Sequence, residues 1–157
     1  MADISAVRTA LANQIYVQTG LICLPKMPDQ INPPVAVILP GAPYAKYGIT
    51  LGEHSVAMGQ PHVVPVVTEL NLVVCIFVSR APSLERAQTM VDQYLGFEPS
   101  TATTSIPEAL AFDPTLGGVT EYCEPIQVQA YGDVDIAGQT YFQGRLAVAV
   151  SVHQSLT

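Results

Sequence analysis

The chain has 157 residues, enough for one domain whose single core buries roughly two thirds of the unfolded surface. Apolar residues make up 49% and charged residues 12%, against about 25% charged in an average soluble domain, and Lys plus Arg number 6 against 13 Asp plus Glu, a formal charge of −7. That balance excludes the basic footprint with which a protein grips phosphate backbones from outside, and the most apolar run, Leu70 to Val78, is too short and too interrupted by Asn71 to span a bilayer.

Asp3 is placed to cap a first helix, in which Ile4, Val7, Leu11 and Ile15 recur at helical spacing with Ala6 and Ala10 beside them. Arg8, Thr9, Asn13 and Gln14 form the opposite, polar face, and Gly20 ends the helix in the left-handed position. The opening Met1-Ala2-Asp3-Ile4 has no basic region, so no signal peptide is expected. A short apolar piece, Leu21 to Leu24, gives way to Pro25, Pro28, Pro33 and Pro34, which block helix and remove sheet donors. A strand is predicted over Val35 to Leu39.

From Pro40 to Pro65, glycines and prolines interleave with Tyr44, Lys46, Tyr47, His54 and His62 in a stretch without periodicity. Ile49, Leu51, Val56 and Met58 gain from burial, so the reading is an extended arm that orders against a neighbour. Tyr44 and Tyr47 flank Lys46, the arrangement of aromatic anchors on a connector, and with Ile49 and Leu51 they form the candidate oligomer or partner interface.

Val66 to Ser79 alternates apolar residues on both faces in its second half, which predicts a central strand covered on both sides. Ser83 caps a helix running to about Leu95, with Leu84, Ala87, Val91 and Leu95 facing inward and Gly96 closing it. Ser105-Ile106-Pro107-Glu108 is a capping box with proline in the first turn, so a short helix over Glu108 to Phe112 follows.

The last third carries the strongest pattern. An Asp113-Pro114-Thr115-Leu116-Gly117-Gly118-Val119 corner leads into a strand from Val119 to Tyr131, a reversal over Gly132 to Gly138, and a second strand from Tyr141 to Val152. In the second strand Phe142, Leu146, Val148, Val150 and Val152 share one parity, while Tyr141, Gln143, Arg145 and Ser151 share the other, the pattern of one wet face. The order helix, strand, long loop, strand, helix, short helix, strand, strand predicts a single α+β domain over 1–157: a mixed, mostly antiparallel sheet with helices on one face and a long C-terminal hairpin.

No constellation of reacting groups stands out, so no catalytic, cofactor-binding or metal-binding residue is assigned. His54, His62 and His153 match no zinc spacing, and Cys23, Cys75 and Cys123 lack any Cys-x-x-Cys and read as reduced, buried thiols. Ser83 and Ser105 are caps with no nucleophile elbow around them. Asp133 and Asp135 lie in the expected turn without the further ligands of a calcium loop, and a strand rather than a helix follows Gly117-Gly118, which removes the phosphate-cradle reading.

The helix, the segment "KMPDQINPPVAVILPG", the corner "DPTLGGVTEY" and the closing hairpin with "GQTYFQG" resemble, in order and spacing, the tail terminator proteins of long-tailed bacteriophages. The resemblance covers most of the chain, although the 40–65 region follows no member closely. It implies a structural virion protein of the neck, assembled in the bacterial host cytoplasm into a homo-oligomeric ring, often a hexamer. Such a ring caps the tail tube protein on one side and meets the head-tail connector on the other, and DNA passes through its lumen without specific binding. Acidic side chains along that lumen would ease the passage of the polyanion. Another neck protein or a tail-tube subunit, which builds related rings with long arms, is the nearer alternative; a small cytoplasmic α+β enzyme or ligand-binding domain, with a pocket near His62 and Tyr44, is the more distant one.

Overall fold

The computed structural model of the chain describes residues 4–40, 65–81, 83–98 and 103–155, with side chains over 5–39, 70–81, 83–98 and 103–152. The elements are α1 (Ile4–Thr19), β1 (Cys23–Leu24), β2 (Val35–Pro40), β3 (Pro65–Ser79), α2 (Leu84–Leu95), α3 (Ile106–Phe112), β4 (Tyr122–Ile136) and β5 (Gln139–Ser155). The five strands form one sheet in the order β1-β2-β3-β5-β4. Only β1 and β2 run parallel, and the other three pairs are antiparallel. This is the expected α+β domain, with a mixed, mostly antiparallel sheet and a C-terminal β4–β5 hairpin.

β3 pairs with β5 along its whole length, from Pro65 opposite Ser155 to Ser79 opposite Tyr141. β2 reaches only from Phe77 down to Leu72, so the 65–71 half of β3 has no described strand on its other side. β5 therefore sits inside the sheet between β3 and β4, and β4 is an edge strand of 15 residues.

All three helices pack on one face. Val7, Leu11 and Ile15 of α1, Ala87, Val91 and Leu95 of α2, and Ile106 and Leu110 of α3 meet the even-numbered apolar residues of β3 and β5 in one buried cluster. Side chains such as Leu11, Leu72, Ile76 and Leu110 are fully enclosed, and each contributes about 1.5–3 kcal/mol by leaving water. α2 approaches β5 most closely at Gly144, where an added Cβ would stand 2.8 Å from Val91 Cγ1 and 2.9 Å from Leu95 Cδ1. Glycine is required there by space, not by backbone angle.

The caps stand where the residue types put them. Ser83 Oγ accepts from the Arg86 amide at 3.1 Å and Gly96 closes α2 at φ 84°. Ser105 Oγ accepts from the Glu108 amide at 3.3 Å, and the Glu108 carboxylate accepts in return from the Ser105 amide, completing the capping box. Asp3, the expected cap of α1, lies outside the described residues. Gly20, at φ 77°, donates to the Tyr16 carbonyl as the expected C-terminal stop.

Several expectations are corrected. Leu84, the first residue of α2, does not join the inward face of Ala87, Val91 and Leu95 and is 45% exposed. Ala6 is exposed while Ala12 is buried, and Gln14, assigned to the polar face of α1, donates to the Ala109 carbonyl at 3.0 Å and ties α1 to α3. The short helix begins at Ile106 rather than Glu108. The apolar piece after α1 pairs beside β2 as β1.

The hairpin differs most. Reversal occurs not over Gly132 to Gly138 but at the two residues Ala137 and Gly138, at φ 51° and 82°, the pair of left-handed conformations that a tight hairpin turn demands. Gly132 to Ile136 remain in the ladder against Gln139 to Gln143. The first strand starts at Tyr122 rather than Val119, because the corner runs on to Thr120, whose amide donates to the Thr115 carbonyl at 3.0 Å.

The expected wet face of β5 is only partly wet, with Gln143, Arg145 and Ser151 half-buried. Tyr141 and Ala147 are buried, and Tyr141 joins Ile31, Val35, Val37, Val73, Cys75 and Phe77 in a second, smaller apolar cluster on the odd-numbered side of the sheet, to which no described helix contributes.

Candidate assembly surfaces

The residues expected to form the interface, Tyr44, Lys46, Tyr47, Ile49 and Leu51, lie outside the described residues, as do His54 and His62. His153 belongs to β5, opposite Val67, with its side chain outside the description. What the structure does define is the chemistry of the remaining polar groups and the distribution of exposed apolar ones.

All three thiols are free and buried. Burial pushes Cys23 up to about 12 and Cys123 up to about 11. It also raises Cys75, although the Arg145 charge and a hydrogen bond from the Arg145 side chain partly offset the effect. Thiols in that state hold their protons at neutral pH, which disfavours both nucleophilic and metal-binding use. Among the described residues no three His, Cys, Asp or Glu converge as a metal site.

The carboxylates near one another in sequence are occupied with structural partners. Asp133 meets Arg80 Nε at 3.2 Å on the surface. Asp135 accepts from the Thr140 hydroxyl across the turn, and Glu124 accepts from Tyr122 Oη at 3.1 Å. Asp113 organises the corner: its Oδ1 accepts from the Thr115 amide and hydroxyl at 3.2 and 2.7 Å, and its Oδ2 from the Gly117 amide at 2.8 Å. The Thr115 hydroxyl first, then the Gly117 amide, hold this carboxyl below its ordinary value. The bonds seat Leu116, buried at φ 50°, and Gly117 and Gly118 at φ 73° and 92°, so the Gly-Gly pair serves a left-handed corner.

Tyr131 ties the hairpin to α2. Its hydroxyl donates to Asp92 Oδ1 at 2.6 Å, and its ring stands 5.1 Å, edge-on, from Phe142 and 6.3 Å from Phe97. Desolvation, with the Asp92 carboxylate, raises this phenol above its ordinary value. A cavity of about 270 Å³ opens between the proline-rich segment and the hairpin turn, lined by residues that include Met27, Ile31, Ile136 and Tyr141. In its wall Tyr141 Oη donates to Gln139 Oε1 at 2.8 Å, which arranges no reacting pair.

Exposed large apolar side chains are unevenly placed. At the β4 end of the sheet, Phe112, Val119, Tyr122 and Ile126 are 74, 41, 47 and 44% exposed. At the β1 end, Tyr16, Val17, Ile22 and Met27 are 53, 70, 55 and 43% exposed. Tyr131, 41% exposed, also lies on β4 where that strand meets α2, and Leu84 and Phe97 complete this class among the described residues. The sequence carried a signal for the second group, since Tyr16 and Val17 interrupt the polar side of α1; the first group was hidden inside what reads as an ordinary strand and corner.

The chain is thus an α+β domain with two apolar ends. No protein-family model and no curated protein matches its sequence. Among the described residues no helix is long and apolar enough to cross a membrane.

Proposed function

We propose that this chain is a structural virion protein similar to the tail terminators of long-tailed bacteriophages: copies close into a ring, a hexamer by that resemblance, that caps the tail tube and joins it to the head-tail connector. The ring stands at the head-proximal end of the tail, and DNA passes through its lumen without specific binding. The observation that carries the reading is the concentration of exposed apolar side chains at the two ends of one sheet in a domain with few charges. Such a surface suits a subunit that is covered by its neighbours. The element order, from α1 through the Asp113 corner to the long hairpin, supports it as the order the resemblance implies. Function of this kind is geometric: one rim of the ring fits the last ring of the tube, the other fits the connector, and no side chain reacts.

Location tests the proposal. Purified virions are labelled on an epitope fused to the chain and imaged by electron microscopy; label at the head-proximal end of each tail is the expected result. Label along the whole tail replaces the terminator reading with the tube-subunit reading, and absence of label from virions removes both.

A further inference from the structure

We infer that the two ends of the sheet are complementary halves of one contact between successive copies of this chain, the β4 end of one subunit seating on the β1 end of the next. The inference deepens the ring reading above and takes its biological setting from it; its residues come from the geometry. The sheet order places β1 and β4 at opposite extremes, so Ile22 and Met27 beside β1 and Tyr122 and Ile126 on β4 lie toward opposite edges of the sheet, while α1 and α3 meet between them. One contact that joins them leaves a β1 end and a β4 end free on the outer subunits, and each is ready for the next copy. That is a heterologous contact, the kind that closes into a ring when its rotation permits.

Charge disfavours the alternative in which two β4 ends meet. Residues 106–130, which build the β4 end, contain Glu108, Asp113, Glu121 and Glu124 and no Lys or Arg. Residues 4–30, which build the β1 end, contain Lys26 and Asp29, which balance, and Arg8, whose Nε is buried. Two β4 ends brought together oppose acid to acid across the contact, which costs energy, whereas a β4 end against a β1 end opposes acid to a surface with no excess of acid.

The β4 strand adds a steric reason. Pro125 removes an edge donor, and the ladder to β5 shifts register between Pro125 and Gln127 and again between Val128 and Ala130. Bulges and proline on an edge suppress indiscriminate strand addition. The edge is therefore poorly suited to pair with another copy of itself as a continuous sheet, and side-chain burial around Tyr122 and Ile126 is left as the means of attachment.

Complementation of two variants of the full chain tests the contact. Variant one carries Tyr122→Glu and Ile126→Glu at the β4 end; variant two carries Val17→Lys and Ile22→Lys at the β1 end. All four side chains are exposed, so both variants are expected to keep the native circular dichroism spectrum and unfold cooperatively. Size-exclusion chromatography with light scattering is expected to show wild-type multimers, monomers for each variant alone with association weakened at least tenfold, and a one-to-one heterodimer when the variants are mixed, since one intact contact then remains. Wild-type mass for either variant, or a dimer of one variant alone, overturns the inference while leaving the ring reading in place. A wild-type chain that stays monomeric at every concentration overturns it as well, and if that chain is also absent from virions the ring reading falls with it.

Discussion

The two faces of the sheet show how differently one set of strands is used. Beneath the helices, 25 residues make a continuous core that draws on α1, α2, α3 and all five strands. On the other face seven residues cluster, none from a helix, and Arg145 lies among them with its Nε buried and without a hydrogen-bond partner. Adjacent residues of one strand thus live in different environments: Val74 lies under the helices and Val73 on the far side, both buried. Thermodynamic stability is concentrated on the helical face, where close packing leaves little room to relax, and the far face tolerates an imperfect polar group.

The largest effect is expected where a helix plugs the core. Leu110→Ala leaves a void between α3, α1 and the sheet and is expected to cost about 2–5 kcal/mol, measured by urea denaturation. A loss below about 1 kcal/mol would mean that α3 does not close the core and would erase the contrast between the faces.

Gly144→Ala comes next. The new methyl would stand inside contact distance of Val91 and Leu95, so α2 must lift or β5 must yield, at a cost of about 1–3 kcal/mol. Shortening the obstructing leucine in the double variant Gly144→Ala/Leu95→Val is expected to recover part of that loss, which urea midpoints will show as non-additivity.

On the opposite face Arg145→Met is expected to change stability by less than about 1 kcal/mol in either direction, because a shape-matched apolar side chain removes an unpaired buried donor while losing the contact with Cys75. A cost as large as that of Leu110→Ala would show that the far face carries as much stability as the helical one.

The smallest effect belongs to the corner, which lies outside both cores. The carboxyl of Asp113 is held below its ordinary value of 3.8, so its contribution to stability is complete above that pH and is lost as pH falls through the lower folded value. Acid titration of the melting temperature is expected to show a slightly shallower decline below pH 3.8 for Asp113→Ala than for wild type. A steeper decline in the variant would contradict the bonds to Thr115 and Gly117.

Capped segments were readable before any coordinates. Ser105 to Glu108 and Ser83 to Gly96 use residues whose local hydrogen bonds do not depend on the rest of the chain, and the strand over Val35 to Leu39 and the strand ending at Ser79 announced themselves as apolar runs. The turn was misplaced because Gly132, Asp133 and Asp135 have turn-forming types, yet Asp133 is held by Arg80 and Asp135 by Thr140 in a continuing ladder. Cross-strand partners outweighed local preference. Of the interface residues expected from the sequence, Tyr44 to Leu51, none falls within the described part of the chain, and the apolar ends came into view only through exposure at sites far apart in sequence.

Local chemistry, which acts within a few residues, was sufficient to define where helices start and stop, that the thiols are buried, and that the domain is α+β. Which face of β5 is wet, where the hairpin turns, and which apolar side chains are left uncovered depended on the order of strands in the sheet. Burial is a property of neighbours in space, and β5 lies inside the sheet rather than at its edge because β3, some 60 residues earlier in the chain, pairs with it along its full length.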